Sequence, residues 1–290
     1  MASAFGSSAL AVGSMKTLTY LSPAKINLFL HITGRRPDGY HNLQTVFQFL
    51  DYCDELSFTR REDAQIMLNC NDKALATADN LVVRAANLLQ KISGTTLGVD
   101  IHLQKKIPVG GGLGGGSSNT ATTLVALNRL WQLQLTPGEL ARLGLQLGAD
   151  VPIFLYGKAA WAEGVGEKLE PVVVDEPWYV VVVPPCAVAT AEIFSAVELT
   201  RNTPAITIQQ FLTEPETTQN DCGPVVRKRY PIVAEALDWL DQFATARLTG
   251  TGGCIFAAVD TLDYAKSILQ HIPKPLDGFV AKGLNISPLF

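Results

Sequence analysis

Residues 108–119 read Pro-Val-Gly-Gly-Gly-Leu-Gly-Gly-Gly-Ser-Ser-Asn. Just before this stretch, Val99, Ile101 and Leu103 alternate with Asp100, His102 and Gln104, the period-2 pattern of a half-exposed strand. Just after it, Ala121, Leu124, Leu127 and Trp131 mark one stripe of a helix. A glycine run between a strand and a helix suits an anion. Glycine has no Cβ to hold a phosphate away from the backbone N–H groups. The helix start adds unpaired N–H groups and a positive dipole end. Ser117 and Ser118 supply hydroxyls for phosphate or a hydrated Mg²⁺.

Three known phosphate loops compete, and each fails. A Walker A loop needs Lys after its second glycine, where this chain has Ser117 and Ser118. A dinucleotide fingerprint matches formally at Gly110, Gly112 and Gly115. It also wants an acidic residue about 20 positions on, and none lies between Asp100 and Glu139. Its first strand is usually almost continuously apolar, unlike residues 99–104. The protein-kinase set needs His-Arg-Asp and Asp-Phe-Gly, which do not occur. A flexible linker does not run straight into an amphipathic helix.

Around the loop, the chain mixes strands and helices without regular alternation. Residues 24–32 alternate between Ala24, Ile26, Leu28, Leu30, Ile32 and the set Lys25, Asn27, Phe29, His31, predicting a half-buried strand. Arg36-Pro37-Asp38-Gly39-Tyr40 is a turn. A strand follows with Leu43, Thr45, Phe47 and Phe49 on one face, and further strand-like pieces lie near 55–59 and 65–70. Asp79-Asn80 starts a helix that Gly94 closes. Thr136-Pro137-Gly138-Glu139 is a capping box, opening a helix that ends near Gly148. The second half opens with a strand near 178–183. Helices follow near 190–197, 206–212, 222–229 and 232–243, strands near 246–249 and 254–259, a helix at 261–271 and a strand at 278–284. The expected class is α+β.

Composition sets the outer bounds. With 290 residues, two domains are expected. The expected division is 15–172 and 173–290, with Pro171 to Asp175 as the boundary. Residues 1–14, rich in Ala, Gly and Ser, read as a leader or an expression remnant ahead of Met15. Apolar residues make up 47% and charged residues 17%, which indicates a core-rich globular chain. The net charge of −4 argues against nucleic acid as a partner. The most apolar run, Trp178 to Val183, stops at Pro184-Pro185 and is too short to span a membrane. Five widely spaced cysteines without a Cys-x-x-Cys pair predict reduced thiols and a cytoplasmic setting. Four scattered histidines predict no protein-held metal.

The segment Pro108 to Ser118 resembles the second motif of the GHMP kinases (galactose, homoserine, mevalonate and phosphomevalonate kinases). Further segments resemble one branch of that family, which acts on cytidine diphosphate methylerythritol. They are Ser22 to Leu28, Arg36 to Thr45, Leu147 to Pro152, Ala162 to Glu167, Leu248 to Cys254 and Asn285 to Leu289. The resemblance covers about residues 18–290. It implies a two-domain GHMP kinase fold: a ribosomal-protein-like N-terminal domain and a ferredoxin-like C-terminal domain, with ATP and substrate in the cleft between them. It implies an ATP-dependent small-molecule kinase of the non-mevalonate isoprenoid pathway, with Mg²⁺ accompanying ATP and the 2-hydroxyl as acceptor. A homoserine or mevalonate type of kinase and a non-catalytic binding module are the alternatives. The oligomeric state, monomer or homodimer, stays open.

The resemblance also implies roles. Asp150, in an extended context two residues before Pro152, would be the base for the acceptor hydroxyl. A carboxylate is a weak base for an alcohol, so proton loss would be late and positioning would matter. Lys25 would be its cationic partner, offsetting developing negative charge. ATP would lie on Pro108, Val109, Gly110, Gly111, Gly112, Leu113, Gly114, Gly115, Gly116, Ser117 and Ser118. Asn80 would touch adenine or ribose, although capping explains it equally well. Asn27 would hold an acceptor hydroxyl. Tyr40 and His41 would stack on and hydrogen-bond the cytosine. Phe194, in the segment starting at Thr190, would form the opposite face of the stack or else ordinary core; Thr190 and Gly252 complete the expected substrate set. Cys254 is expected to be a small buried residue, and Glu163 and Glu167 to be structural.

Overall fold

The computed structural model describes residues 17–290, so the expected leader, residues 1–14, lies outside the described residues. The chain opens with a long antiparallel hairpin of β1 (Thr17–Arg35) and β2 (His41–Arg61). The turn between them closes through Arg36 N donating to the Tyr40 carbonyl at 2.7 Å and Gly39 N donating to the Arg36 carbonyl at 3.0 Å. Gly39 takes a left-handed φ of 89° there. The two short strands expected near 43–49 and 55–59 are one strand of 21 residues. Ladder pairing with β1, from Thr17 opposite Thr59 to Arg35 opposite His41, carries it through the polar Asp51–Glu55 stretch. Tertiary pairing overrides local strand propensity there.

The half-buried strand expected at 24–32 is buried on both faces. Lys25, Asn27, Phe29 and His31 are as covered as their apolar neighbours. Register shifts fall between Pro23 and Lys25, Asn27 and Leu30, and Ile32 and Gly34. Such bulges re-aim side chains. As a result, Ala24 and Ile26, then Phe29, then Leu30 and Ile32 enter three different apolar clusters.

The first half continues with β3 (Ile66–Cys70), α1 (Leu81–Ser93), β4 (Gly98–Gln104), α2 (Gly115–Leu130), α3 (Pro137–Leu147), α4 (Val151–Tyr156), β5 (Ala160–Gly164) and β6 (Lys168–Pro171). Asn80 caps α1 by accepting from Val82 N, and Gly94 ends it in the left-handed region. The capping box at Thr136 and Glu139 is formed in both directions. α4 was not expected. Pro152 sits in its first turn, where a missing N–H costs nothing. Asp150 is therefore the N-cap of α4 at φ −86°, ψ −6°, not in an extended segment.

The second half holds β7 (Trp178–Val183), α5 (Thr190–Ser195), α6 (Ile208–Thr213), α7 (Gly223–Arg229), α8 (Pro231–Leu240), β8 (Arg247–Leu248), β9 (Ile255–Val259), α9 (Leu262–Gln270) and β10 (Asp277–Leu284). Its sheet order, β10-β7-β9-β8, and its βαββαβ sequence are those of a ferredoxin-like unit. Among the named strands only β3 and β4 run parallel.

Each half has its own core. Phe49, Phe58, Leu89, Ile101, Leu124 and Phe154 anchor the first. Val180, Val182, Val226, Val233, Leu240 and Ile255 anchor the second. A third cluster, including Ile26, Leu50, Leu113, Val181 and Phe256, lies where they meet. β10 pairs with both β2 and β7, so one sheet runs through both halves. The fold is the two-domain α+β arrangement. Among the described residues no helix is long and apolar enough to cross a membrane.

Candidate active site

The glycine-rich segment leaves β4 and enters α2 at Gly115. Gly114 is the N-cap of α2 in the left-handed region (φ 71°), and no side chain caps the helix. The first-turn N–H groups and the positive helix end therefore face the cleft. Two cavities share this segment. The larger, 780 Å³, is lined by Lys25, Asn27, Tyr40, His41, Asp150, Thr190, Phe194 and Thr251. The smaller, 480 Å³, is lined by Leu75, Asn80, Leu81, Lys105 and the run from Pro108 to Ser117. Gly112, Gly114 and Ser117 belong to both walls. The loop is thus a wall common to both cavities.

Beneath the loop lies a polar network built on Asp54, which is fully buried. Its Oδ1 accepts from the backbone N–H groups of Lys106 at 2.6 Å and Ile107 at 2.8 Å. Its Oδ2 accepts from Lys105 Nζ at 2.7 Å and Asn119 Nδ2 at 2.9 Å. Asn119 also donates to Ser22, and Ser22 donates to Ser118. Burial pulls the Lys105 ammonium below its usual range, and the Asp54 charge opposes that shift.

The loop also packs against the turn at 249–254. Cys254 N donates to the Gly111 carbonyl at 3.0 Å, and Thr249 Oγ1 donates to the Gly112 carbonyl at 3.3 Å. Gly112 has φ 78°, and a Cβ there would strike the Thr249 carbonyl. Replacing Gly112 with Ala is expected to cost roughly 1–2 kcal/mol in left-handed strain alone. A lower melting temperature together with a raised KM for ATP would bear this out.

Lys25 and Asp150 meet at the floor of the larger cavity. Lys25 Nζ lies 3.2 Å from Asp150 Oδ2, and it donates to Asn27 Oδ1 at 2.7 Å and the Gly112 carbonyl at 3.0 Å. Its three N–H bonds are all matched, and Nζ lies 5.2 Å from the centroid of the Phe47 ring. Lys25 is 2% exposed and Asp150 36%. Asp150 makes no capping bond to α4, which leaves its carboxylate facing the cleft. Asn27 also donates to Thr45 through Nδ2, and its backbone N–H donates to Thr249 Oγ1.

At the far end of this cavity, Tyr40 is exposed and His41 is buried. His41 stacks on Phe194 with ring centroids 5.2 Å apart and planes at 24°. Thr190 shares a 2.8 Å hydrogen bond with Thr251. Burial first, and then the charges of Arg201 and Arg35, hold His41 below the ordinary imidazole range. Burial does the same for His31, against the Asp221 charge. The unfolded chain takes up these protons first, so stability is expected to fall as pH drops below about 6.5. Thermal unfolding between pH 8 and pH 5 measures this.

Of the expected residues, Ser118 and Gly252 line neither cavity, whereas Asn80 lines the smaller one. Ser118 is buried against Ser22, facing the core rather than the cleft. Gly252 packs toward Leu248 and Val226, while Gly250 and Thr251 line the cavity in its place. The Asn80 amide is engaged at both ends, accepting from Val82 N and donating to the Leu75 carbonyl. Cys254 is fully buried, and burial pushes its thiol up to about 12, so it is neutral packing. Glu163 accepts from Gln44 and Trp161, and Glu167 closes a turn at Val165. Among the described residues no cluster of three or more His, Cys, Asp or Glu could hold a metal. Sequence reasoning missed Asp54, Lys105 and Arg201. Lys105, one of two adjacent lysines a few residues ahead of the glycine run, carried a readable signal. Asp54 and Arg201, distant in sequence from the groups they hold, carried none.

A glycine-rich loop between two cavities, with a buried lysine paired to a cleft-facing carboxylate in the larger one, is the layout of a small-molecule kinase. Comparison with known proteins agrees. The GHMP kinases N terminal domain profile matches residues 80–158, and the GHMP kinases C terminal profile matches residues 209–278. A Pseudomonas paraeruginosa protein named 4-diphosphocytidyl-2-C-methyl-D-erythritol kinase is 56% identical over 272 residues, covering 94% of this chain and 96% of its own. A Marinobacter nauticus protein of the same name is 56% identical over 275 residues, with 94% and 96% covered. A crystal structure of 4-(cytidine 5'-diphospho)-2C-methyl-D-erythritol kinase aligns at TM-score 0.80 and 30% identity, covering 92% of this chain and 99% of that one. The mevalonate kinase of Methanococcus jannaschii, 19% identical at TM-score 0.66 over 94% of this chain and 100% of that one, shares the fold. The chain belongs to the GHMP kinases, and within them to the 4-diphosphocytidyl-2-C-methyl-D-erythritol kinase family. It is an ATP-dependent small-molecule kinase.

Proposed function

We propose that this kinase transfers the γ-phosphoryl group of ATP to the 2-hydroxyl of 4-diphosphocytidyl-2-C-methyl-D-erythritol, giving ADP and the 2-phosphate. The observation that carries the reading is the Lys25–Asp150 pair, set where the glycine loop divides the two cavities. The smaller cavity, beside Asn80, Leu81 and Lys105, takes the nucleoside of ATP. The loop N–H groups and the start of α2 hold its phosphates. The larger cavity takes the acceptor, with its base at Tyr40, His41 and Phe194 and its hydroxyl at Asp150. Asn27, Thr190 and Thr251 line the path between. Gly250 takes the place first expected for Gly252.

Phosphoryl transfer leaves the protein little covalent work and asks for positioning and charge stabilisation. Asp150 orients the acceptor hydroxyl and receives its proton late in the transfer. Lys25 holds that carboxylate and offsets the negative charge that develops at the attacking and transferring oxygens. Bound together with ATP, Mg²⁺ would supply neutralisation of phosphate charge. A Mg²⁺ site of this kind uses one or two protein oxygens plus substrate phosphates. The Ser117 hydroxyl, which lines both cavities, would be the protein oxygen beside it, leaving Asp150 to the acceptor hydroxyl.

The proposed division at 172/173 is supported by a core centred on each half, the second also taking in Leu30 and Ile32 of β1. A cytoplasmic setting is part of the same reading, supported by five free thiols. The test is ADP release from Mg-ATP with the cytidine diphosphate acceptor, homoserine or mevalonate. The reading expects turnover with the first alone. Turnover with homoserine or mevalonate, and none with the cytidine diphosphate compound, overturns the choice of acceptor.

A further inference from the structure

Arg201 lies in the loop after α5, and its guanidinium ties together one wall of the larger cavity. Nη2 donates to the Ala196 carbonyl at 2.6 Å and the Phe194 carbonyl at 3.1 Å. Nη1 donates to the Leu199 carbonyl at 3.0 Å. These bonds fix the end of α5 that carries Phe194. The fourth contact runs to a different element: Nε donates to His41 Nε2, at the start of β2, at 3.0 Å. His41 is in turn the ring against which Phe194 stacks. One side chain therefore sets both members of the pair.

The contact also decides where the His41 proton sits. A guanidinium offers only donors and does not deprotonate in proteins. The nitrogen that accepts from it must carry the lone pair. A neutral imidazole then carries its proton on Nδ1. Nδ1 makes no hydrogen bond among the described residues, and the ring lines the cavity. A protonated His41 could not accept from Arg201 at all, so the contact disfavours the imidazolium as well.

We infer that Arg201 is a positioning residue for acceptor binding, locking His41 in the Nδ1–H tautomer and Phe194 against it, so that the wall offers a fixed donor to a base edge bearing acceptor atoms. The link to acceptor binding rests on the proposed function; the tautomer does not. Arg201 touches neither the glycine loop nor the Lys25–Asp150 pair, so its effect should be confined to the acceptor.

The experiment combines ¹⁵N-histidine NMR of the full chain with steady-state kinetics. Loss of a resonance in His41→Gln assigns His41. The wild type is expected to show Nδ1–H. In Arg201→Met the resonance should move to a mixture of tautomers. KM for the cytidine diphosphate acceptor should rise by ~10–100-fold, the scale of one lost buried hydrogen bond, with kcat and KM for ATP within about threefold. Arg201→Lys, which keeps the charge but not the fork, should show the same shift in weaker form. An Nε2–H tautomer in the wild type overturns the inference without reference to any variant. So does an unchanged tautomer and an unchanged acceptor KM in Arg201→Lys and Arg201→Met. Absent turnover with the cytidine diphosphate acceptor, beside a tautomer that changes in Arg201→Met, counts against the proposed function and for this inference.

Discussion

Replacing Asp150 with Asn is expected to lower kcat by about 10²–10⁴-fold, the range of a positioned acid–base group, with the fold intact. The geometry separates these two effects. Asp150 is 36% exposed and makes no capping bond, so water partly replaces its charge beside the buried Lys25 and the stability cost should stay below that of a fully buried pair. Lys25 keeps Asn27 Oδ1 and the Gly112 carbonyl as partners in the variant, and the amide oxygen replacing the carboxylate can accept the third N–H, so no buried donor is stranded. KM for ATP should change little, because the loop and the start of α2 are untouched. Lys25→Met is the informative contrast. It also removes the donor to Asn27 Oδ1 and to the Gly112 carbonyl, so it should cost about 1–3 kcal/mol of stability besides activity. Steady-state kinetics and urea unfolding on both variants test the pair. Full turnover in Asp150→Asn would leave the carboxylate no role in proton transfer.

The largest stability effect is expected at Asp54, which lines neither cavity. Its carboxylate is fully buried and accepts four hydrogen bonds, from β4's exit, from the loop's start and from α2. Asp54→Ala strands two backbone N–H groups and removes the counter-charge of the Lys105 ammonium, leaving it the Ile107 carbonyl and leaving the Asn119 amide Ser22. Removing one partner of a buried ion pair typically costs about 3–5 kcal/mol. KM for ATP should rise too, since Lys105 and the start of the loop lose their common anchor. The pH dependence has a definite sign. Without the opposing carboxylate, burial lowers Lys105 further, so the unfolded state binds the extra proton. The variant's stability should therefore recover as pH rises toward the ordinary lysine range. Chemical unfolding from pH 7 to 10 measures both. A variant as stable as the parent would show that water replaces the carboxylate under the loop.

Much of the loop region was legible in the sequence. The glycine run, the Asn80 and Gly94 ends of α1 and the capping box at Thr136 are all local devices. Each depends on a few neighbouring residues with particular φ or hydrogen-bonding needs, so spacing alone reveals them. The missed features depend on distant partners. The continuity of β2 through Asp51–Glu55 comes from β1 across the ladder. The burial of the polar side of β1 comes from bulges and from elements far along the chain. α4 was hidden because a proline reads as a break, whereas in a first turn it is compatible with helix.

The sequence by itself determined that the chain is α+β, that residues 108–119 form a glycine-rich link from a strand into a helix, and where several helices start and stop. These follow from backbone sterics and local hydrogen bonding. Only the tertiary structure decided that Lys25 and Asp150, 125 positions apart by their numbers, stand 3.2 Å from one another. It alone placed Arg201 on His41 and Asp54 beneath the loop. Such contacts arise because buried polar groups need partners wherever the fold brings one near, and sequence separation carries no record of that nearness.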